Sequence, residues 1–244
     1  MLKIRLSISD KATKLLVIQI LITINIGWIL LAFLNPSLAI ALTEEDNIIQ
    51  WLQFIFLLAT AFYCLRVYRI YSIYQEKKLI ANAFLIFLIL TLLLALEEIS
   101  WGQRIFDIAT PDFIKQVNIQ HEITLHNLSY FQRVRHWLLI LFGGVGLILI
   151  YQRATIYKIN AQLTTLSPPA FFSIAFLLIL VCGTTLEIAY LIKYLIPGDI
   201  ANDVRFWAGR FSEIGEIGVA ITAFSYALNK LNSLLASRYK SEIN

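Results

Sequence analysis

The densest polar chemistry in the chain is Glu97-Glu98-Ile99-Ser100-Trp101-Gly102-Gln103-Arg104, which follows directly on a long apolar run. Two adjacent carboxylates, an indole, an amide and a guanidinium stand where a membrane-spanning helix would end. Charged groups at the edge of a bilayer core are costly to place there and usually functional. Further along come His121, Glu122 and His126, then Glu187, then Arg210 with Glu213 and Glu216. The last two are three residues apart and so share a helix face.

Three chemistries use these residue types. For a divalent metal, Glu98, Glu122, His126 and Glu216 offer carboxylate and imidazole donors, Glu122 and His126 being one helical turn apart. The order His121-Glu122-Ile123-Thr124-Leu125-His126 is one residue longer than the zincin spacing, so that motif is not implied. For metal-free acid/base work on a lipid or lipid-linked substrate, Glu98, His126 and Glu216 are the candidate catalytic groups. Trp101, Gln103, Arg104, Glu187, Arg210 and Glu213 would then bind the substrate, the guanidiniums suiting phosphate. The third chemistry is proton- or cation-coupled transport, with Glu187, Glu213 and Glu216 as carriers. No inverted repeat is visible to support it.

A purely structural use competes with all three. Glu97 or Glu98 paired with Arg104, and Glu213 paired with Arg210, would simply hold neighbouring segments together. Trp101 also suits an interfacial anchor, and His136, beside Trp137 at a span start, reads as interfacial. No nucleophile elbow and no glycine-rich phosphate loop occurs.

The elements that must position these groups follow from composition. Of 244 residues, 59% are hydrophobic and only 15% charged, and the mean hydropathy is +0.72. Soluble domains carry about 25% charged residues. The pattern predicts an all-α polytopic membrane bundle of about six spans, 15–34, 47–65, 79–97, 137–151, 170–195 and 211–228, in a single integral domain over 1–244. Span one is too long for a cleaved signal core, and Asn35-Pro36 ends it. Thr43-Glu44-Glu45-Asp46 reads as a capped start for span two. Ser167-Pro168-Pro169 opens span five. The long connection from Ile99 to His136 contains the helix start Thr110-Pro111-Asp112 and spaced apolar residues, so it is expected to fold back on the bundle. Cys64 and Cys182 read as buried thiols.

Charge gives an orientation. With both termini inside, thirteen of the twenty Lys and Arg residues fall in inner segments, including Lys77, Lys78, Arg153 and Lys230. That is the positive-inside pattern of a plasma membrane protein. The basic residues lie between spans rather than on one face, so the net charge of +4 is no nucleic-acid footprint. The partners to expect are the lipid bilayer and a lipid-derived substrate. Thirteen of the sixteen acidic residues fall on the outer side, although carboxylates contribute little to orientation. An outward-facing acidic and histidine-containing site would explain that bias.

The motif Glu97-Glu98-x-x-Trp101-Gly102-Gln103-Arg104, with Thr110-Pro111, Asn118-x-Gln120-x-Glu122 and Leu125-His126-Asn127, resembles a pattern in a family of uncharacterised bacterial multi-pass membrane proteins. It covers about 96–128. The resemblance implies a bacterial inner membrane protein and no particular activity.

Overall fold

The structure, a computed structural model, describes residues 10–44, 47–74, 77–103, 105–116, 118, 123–124, 132–160, 162–196 and 198–243. Helices dominate, and the described residues contain no β-strand. Helix α1 (Asp10–Leu34) stops before Asn35-Pro36, as expected, and α2 (Pro36–Thr43) restarts there. Proline fits the first helical turn, where no N–H partner is needed. The Asn35 side chain caps α2 by accepting from Leu38 N at 3.1 Å.

Helix α3 (Ile48–Ser72) is capped by Asn47, whose Oδ1 accepts from Ile49 N at 2.8 Å. This corrects the reading of Thr43 as the cap. Thr43 closes α2 instead, its hydroxyl donating back to Ala39 O at 2.9 Å. Helix α4 (Lys78–Glu98) delivers the carboxylate pair at its C-terminus. A one-turn helix, α5 (Asp112–Lys115), follows Pro111, and no side chain caps it. Helix α6 (Gln132–Tyr151) is followed by the short α7 (Arg153–Ile159). Helix α8 (Ser173–Leu195) then begins just after a 3-10 turn at Ala170–Phe172.

The largest departure is α9, continuous from Asp199 to Ile243. The polar stretch 199–210 reads as a connection in sequence, yet it is helical. At 1.5 Å per residue α9 is about 67 Å long, roughly twice the 30 Å hydrocarbon thickness of a bilayer.

The chain is an integral membrane protein with a helical-bundle fold. Among the described residues, five stretches can cross a bilayer by length and composition: Val17–Leu34, Pro36–Ser72, Lys78–Glu98, Val134–Tyr151 and Ala170–Leu195. The expected span at 211–228 is not among them. Its place in the bundle supplies the reason. Helix α9 packs between α3 and α8, with α4 on the far side of α3, α6 on the far side of α8, and α1 across α8 and α9. Ser212, Ile214, Ile217, Ala220, Thr222, Ala223 and Ala227 of α9 are all buried. A helix shielded by its neighbours need not be apolar all round, whereas the outer helices meet lipid. The outer faces carry exposed Ile86, Ile89 and Leu93 on α4, Leu141 and Ile148 on α6, and Leu177 and Leu191 on α8.

Small residues set the helix spacing, because packing rather than hydrophobicity holds helices together in lipid. A Cβ on Gly146 would stand 2.2 Å from the Phe176 ring, and one on Gly143 would stand 2.7 Å from Phe176 O. Helices α6 and α8 therefore approach closely only because α6 carries glycine there.

Candidate functional site

At the end of the bundle where α3, α6 and α9 begin and α4 ends, side chains enclose a cavity of about 290 Å³. Its wall includes Glu44, Glu98, Glu213 and Glu216, with Arg135, Arg205 and Arg210 as counter-charges. Asn47, Gln50, Gln53 and Tyr190 add uncharged polar groups, and Leu186 and Phe206 add apolar surface.

Arg135 organises one side. Its Nη1 donates to Glu213 Oε1 at 2.7 Å, its Nη2 donates to Ser212 Oγ at 3.1 Å, and its Nε pairs with Glu216 Oε1 at 3.1 Å. The Glu213 and Glu216 spacing puts both carboxylates on the α9 face that meets α6, so one guanidinium serves both. The planar fork of arginine makes that possible where a lysine ammonium would reach one oxygen well. Arg210 does not pair with Glu213. It donates to Thr43 O at 2.8 Å, and its other nitrogen lies 4.0 Å from Glu44.

Glu98, the last residue of α4, faces Gln53 of α3. With its NH2 toward the carboxylate, the Gln53 amide satisfies both its atoms: it donates to Glu98 Oε2 at 2.9 Å and accepts from Ile217 N at 3.1 Å. Gln53 is 2% exposed, so an unsatisfied amide would be costly there. Glu98 also lies within electrostatic reach of Glu216, Glu213, Arg135 and Glu97.

Behind the Glu98 carboxylate the chain turns sharply. Ser100, Trp101 and Gly102 have φ of 49°, 56° and 80° in succession. Two non-glycine residues in the left-handed region are uncommon and store strain, on the order of 1 kcal/mol or more each. The turn is tied at several points. Trp101 Nε1 donates to Glu97 Oε1 at 2.5 Å. Gln103 spans the connection, donating to the Thr110 hydroxyl and accepting from Ile123 N at 2.7 Å. Asn118, 2% exposed, donates to Thr124 O at 2.9 Å. These bonds fold the described parts of the connection onto themselves beside Glu97 and Glu98.

The structure thus brings Glu98, Glu213, Glu216 and Arg210 to one cavity. Trp101 and Gln103 serve the adjoining turn, and neither lines the cavity. Glu187 does not line it either; its Oε2 lies 2.5 Å from Nε2 of His136. That imidazole is 3% exposed and stacks at a tilt against Tyr190, 5.5 Å between centroids. Reading His136 as merely interfacial is therefore corrected: it is a buried partner of Glu187. Arg104, His121, Glu122 and His126 lie outside the described residues. Among the described residues, no three His, Cys, Asp or Glu side chains are disposed to hold a metal.

Arg135, Gln53, Arg205 and Tyr190 were not singled out from sequence. Two of them left a signal there. Gln53 is a polar residue inside an otherwise apolar span, and Arg135 sits only two residues before Trp137, where a span begins. Compared with known proteins, the chain matches no family model, no curated protein and no solved structure.

Proposed function

We propose that this is a bacterial plasma-membrane protein, termini inside, whose outward pocket admits the head of a lipid or lipid-linked substrate and performs acid/base chemistry on it. Glu98 is the proton-exchanging group. The carrying observation is the division of labour among the carboxyls lining one cavity. Arg135 is hydrogen-bonded to Glu213 and ion-paired with Glu216, whereas Glu98 faces the neutral Gln53 amide. A carboxyl bonded to an amide can take up and release a proton without breaking an ion pair. The strained, multiply tied turn after Glu98 holds it in position, as a proton donor requires. Charge sorting along the chain supports the outward side. A divalent metal rests on Glu122 and His126 and stays an expectation from sequence.

The test is lipid mass spectrometry after incubating the reconstituted protein with vesicles of bacterial polar lipids. Wild type should generate a lipid species that Glu98→Gln does not, with both proteins melting alike. A second reading has its own support, since the Arg135 pairs tie α6 to α9 whether or not any substrate binds. No new species from wild type, together with a marked loss of stability in Glu98→Gln, would favour that structural reading. No new species, but a Glu98-dependent proton flux driven by a cation gradient, would favour coupled transport.

A further inference from the structure

Besides Arg135, the cavity wall carries two further guanidiniums, Arg205 and Arg210 of α9. Arg205 is exposed, and its described contact is with an aromatic ring: its Cζ stands 5.8 Å from the centroid of Tyr190. Among the described residues no carboxylate lies within ion-pair distance of it. Arg210 is half-buried, sits 5.2 Å over the Phe206 ring and is anchored by the Thr43 carbonyl. Its one acidic neighbour, Glu44, is 4.0 Å away and 58% exposed. An arginine laid on an aromatic face is pre-oriented, with N–H edges left for an acceptor. Two such edges lining one cavity suit the oxygens of a phosphate, which arginine binds bidentately.

Size and surroundings fit the same ligand. About 290 Å³ is at the small end of ligand cavities, near 300–1,000 Å³. That is room for a compact head group and not for acyl chains. Chains would instead have to lie outside, where Tyr194, Leu195, Ile196 and Ile200 leave an exposed apolar flank on the α8–α9 junction.

From this we infer that Arg205 and Arg210 form a recognition pair for a phosphate-bearing head group. This deepens the proposed function by naming its substrate class, and it rests on that reading only for the chemistry that follows binding. It predicts ligand binding whether or not Glu98 is intact.

The full-length protein in a neutral detergent, titrated with short-chain phosphatidylglycerol, short-chain diacylglycerol or inorganic phosphate, provides the test by thermal shift. Phosphatidylglycerol should raise the melting temperature saturably, and diacylglycerol should not. Arg205→Gln, at an exposed site and so expected to fold, should weaken the apparent affinity about tenfold or more, the loss of a charged hydrogen bond. Arg153→Gln, at the opposite end of the bundle, should leave it unchanged. An equal, Arg205-dependent shift from inorganic phosphate would keep the recognition pair and make free phosphate the source. Equal shifts with diacylglycerol, or equal losses in Arg205→Gln and Arg153→Gln, would overturn it. Glu98-dependent turnover that survives Arg205→Gln would overturn it too, while leaving the acid/base reading intact.

Discussion

Arg135 Nη1 lies 2.7 Å from Glu213 Oε1, joining the first turn of α6 to the first third of the long helix α9 across 78 positions of sequence. Because Nε of the same guanidinium also pairs with Glu216, removing it would leave two carboxylates without their cation. Arg135→Met is therefore expected to cost on the order of 3 kcal/mol, tempered by partial exposure. Combining it with Glu213→Gln should recover part of the loss. Thermal unfolding of the single and double variants checks this. Independent, additive effects would mean the pair is not coupled.

Gly143 and Gly144 are neighbours with opposite expectations. A Cβ at 143 meets backbone of α8 at 2.7 Å, whereas one at 144 meets nothing within 4 Å. Gly143→Ala should destabilise by about 1–3 kcal/mol through overpacking. Gly144→Ala should be neutral or slightly stabilising, because it removes a helix-interior glycine. Melting temperatures of the two alanine variants decide it.

Gln103 holds both Thr110 and the Ile123 amide, so Gln103→Ala should loosen the connection without unfolding the bundle. Hydrogen exchange at Ile123 should accelerate while the amides in the middle of α8 stay protected. Unchanged protection at Ile123 would show that the side chain is dispensable for the fold of that segment.

Single cysteines in a background lacking Cys64 and Cys182 test the orientation. Positions 116 and 203 should react with an impermeant thiol reagent from outside intact cells, and positions 77 and 153 should not. All four side chains are exposed in the structure, so a failure to label reports on sidedness. Labelling at 77 from outside would reverse the topology.

Lys230, at the end of the bundle away from the cavity, donates to the Thr165 carbonyl. Burial, with nearby Arg153 adding to it, pushes its ammonium down to about 8, below the roughly 10.4 of an unfolded lysine. Below about pH 8 the folded protein carries the full cost of a buried cation. As pH rises from about 8 toward 10, the folded lysine loses its proton first and that cost disappears, so stability rises over this window. Lys230→Met should flatten the rise in a series of melting temperatures across it.

Much of the architecture was legible because it depends on local quantities. Hydropathy over some twenty residues gives spans, Pro36 gives a break, and counting along the apolar runs places Glu98 and Glu216 near the same end. The spacing of Glu213 and Glu216 gives a shared face before any neighbour is known. What covers that face is not local. Arg210 and Arg135 both stand near a span end, and sequence offers no way to choose between them. The choice depends on how α6 and α9 are rotated about their axes against α8, where Gly143 and Gly146 of α6 and Gly215 of α9 pack closely. The same rotation buries His136 against Glu187 and takes that glutamate off the cavity wall. Tertiary packing likewise makes 199–210 helical despite its polarity, since Ala201 and Ala208 are buried there. The sequence by itself determined a membrane bundle with acidic groups gathered at one end. Only the tertiary structure decided which cation each carboxylate meets, because an ion pair needs a few ångströms of three-dimensional proximity that no one-dimensional spacing across 78 residues can specify.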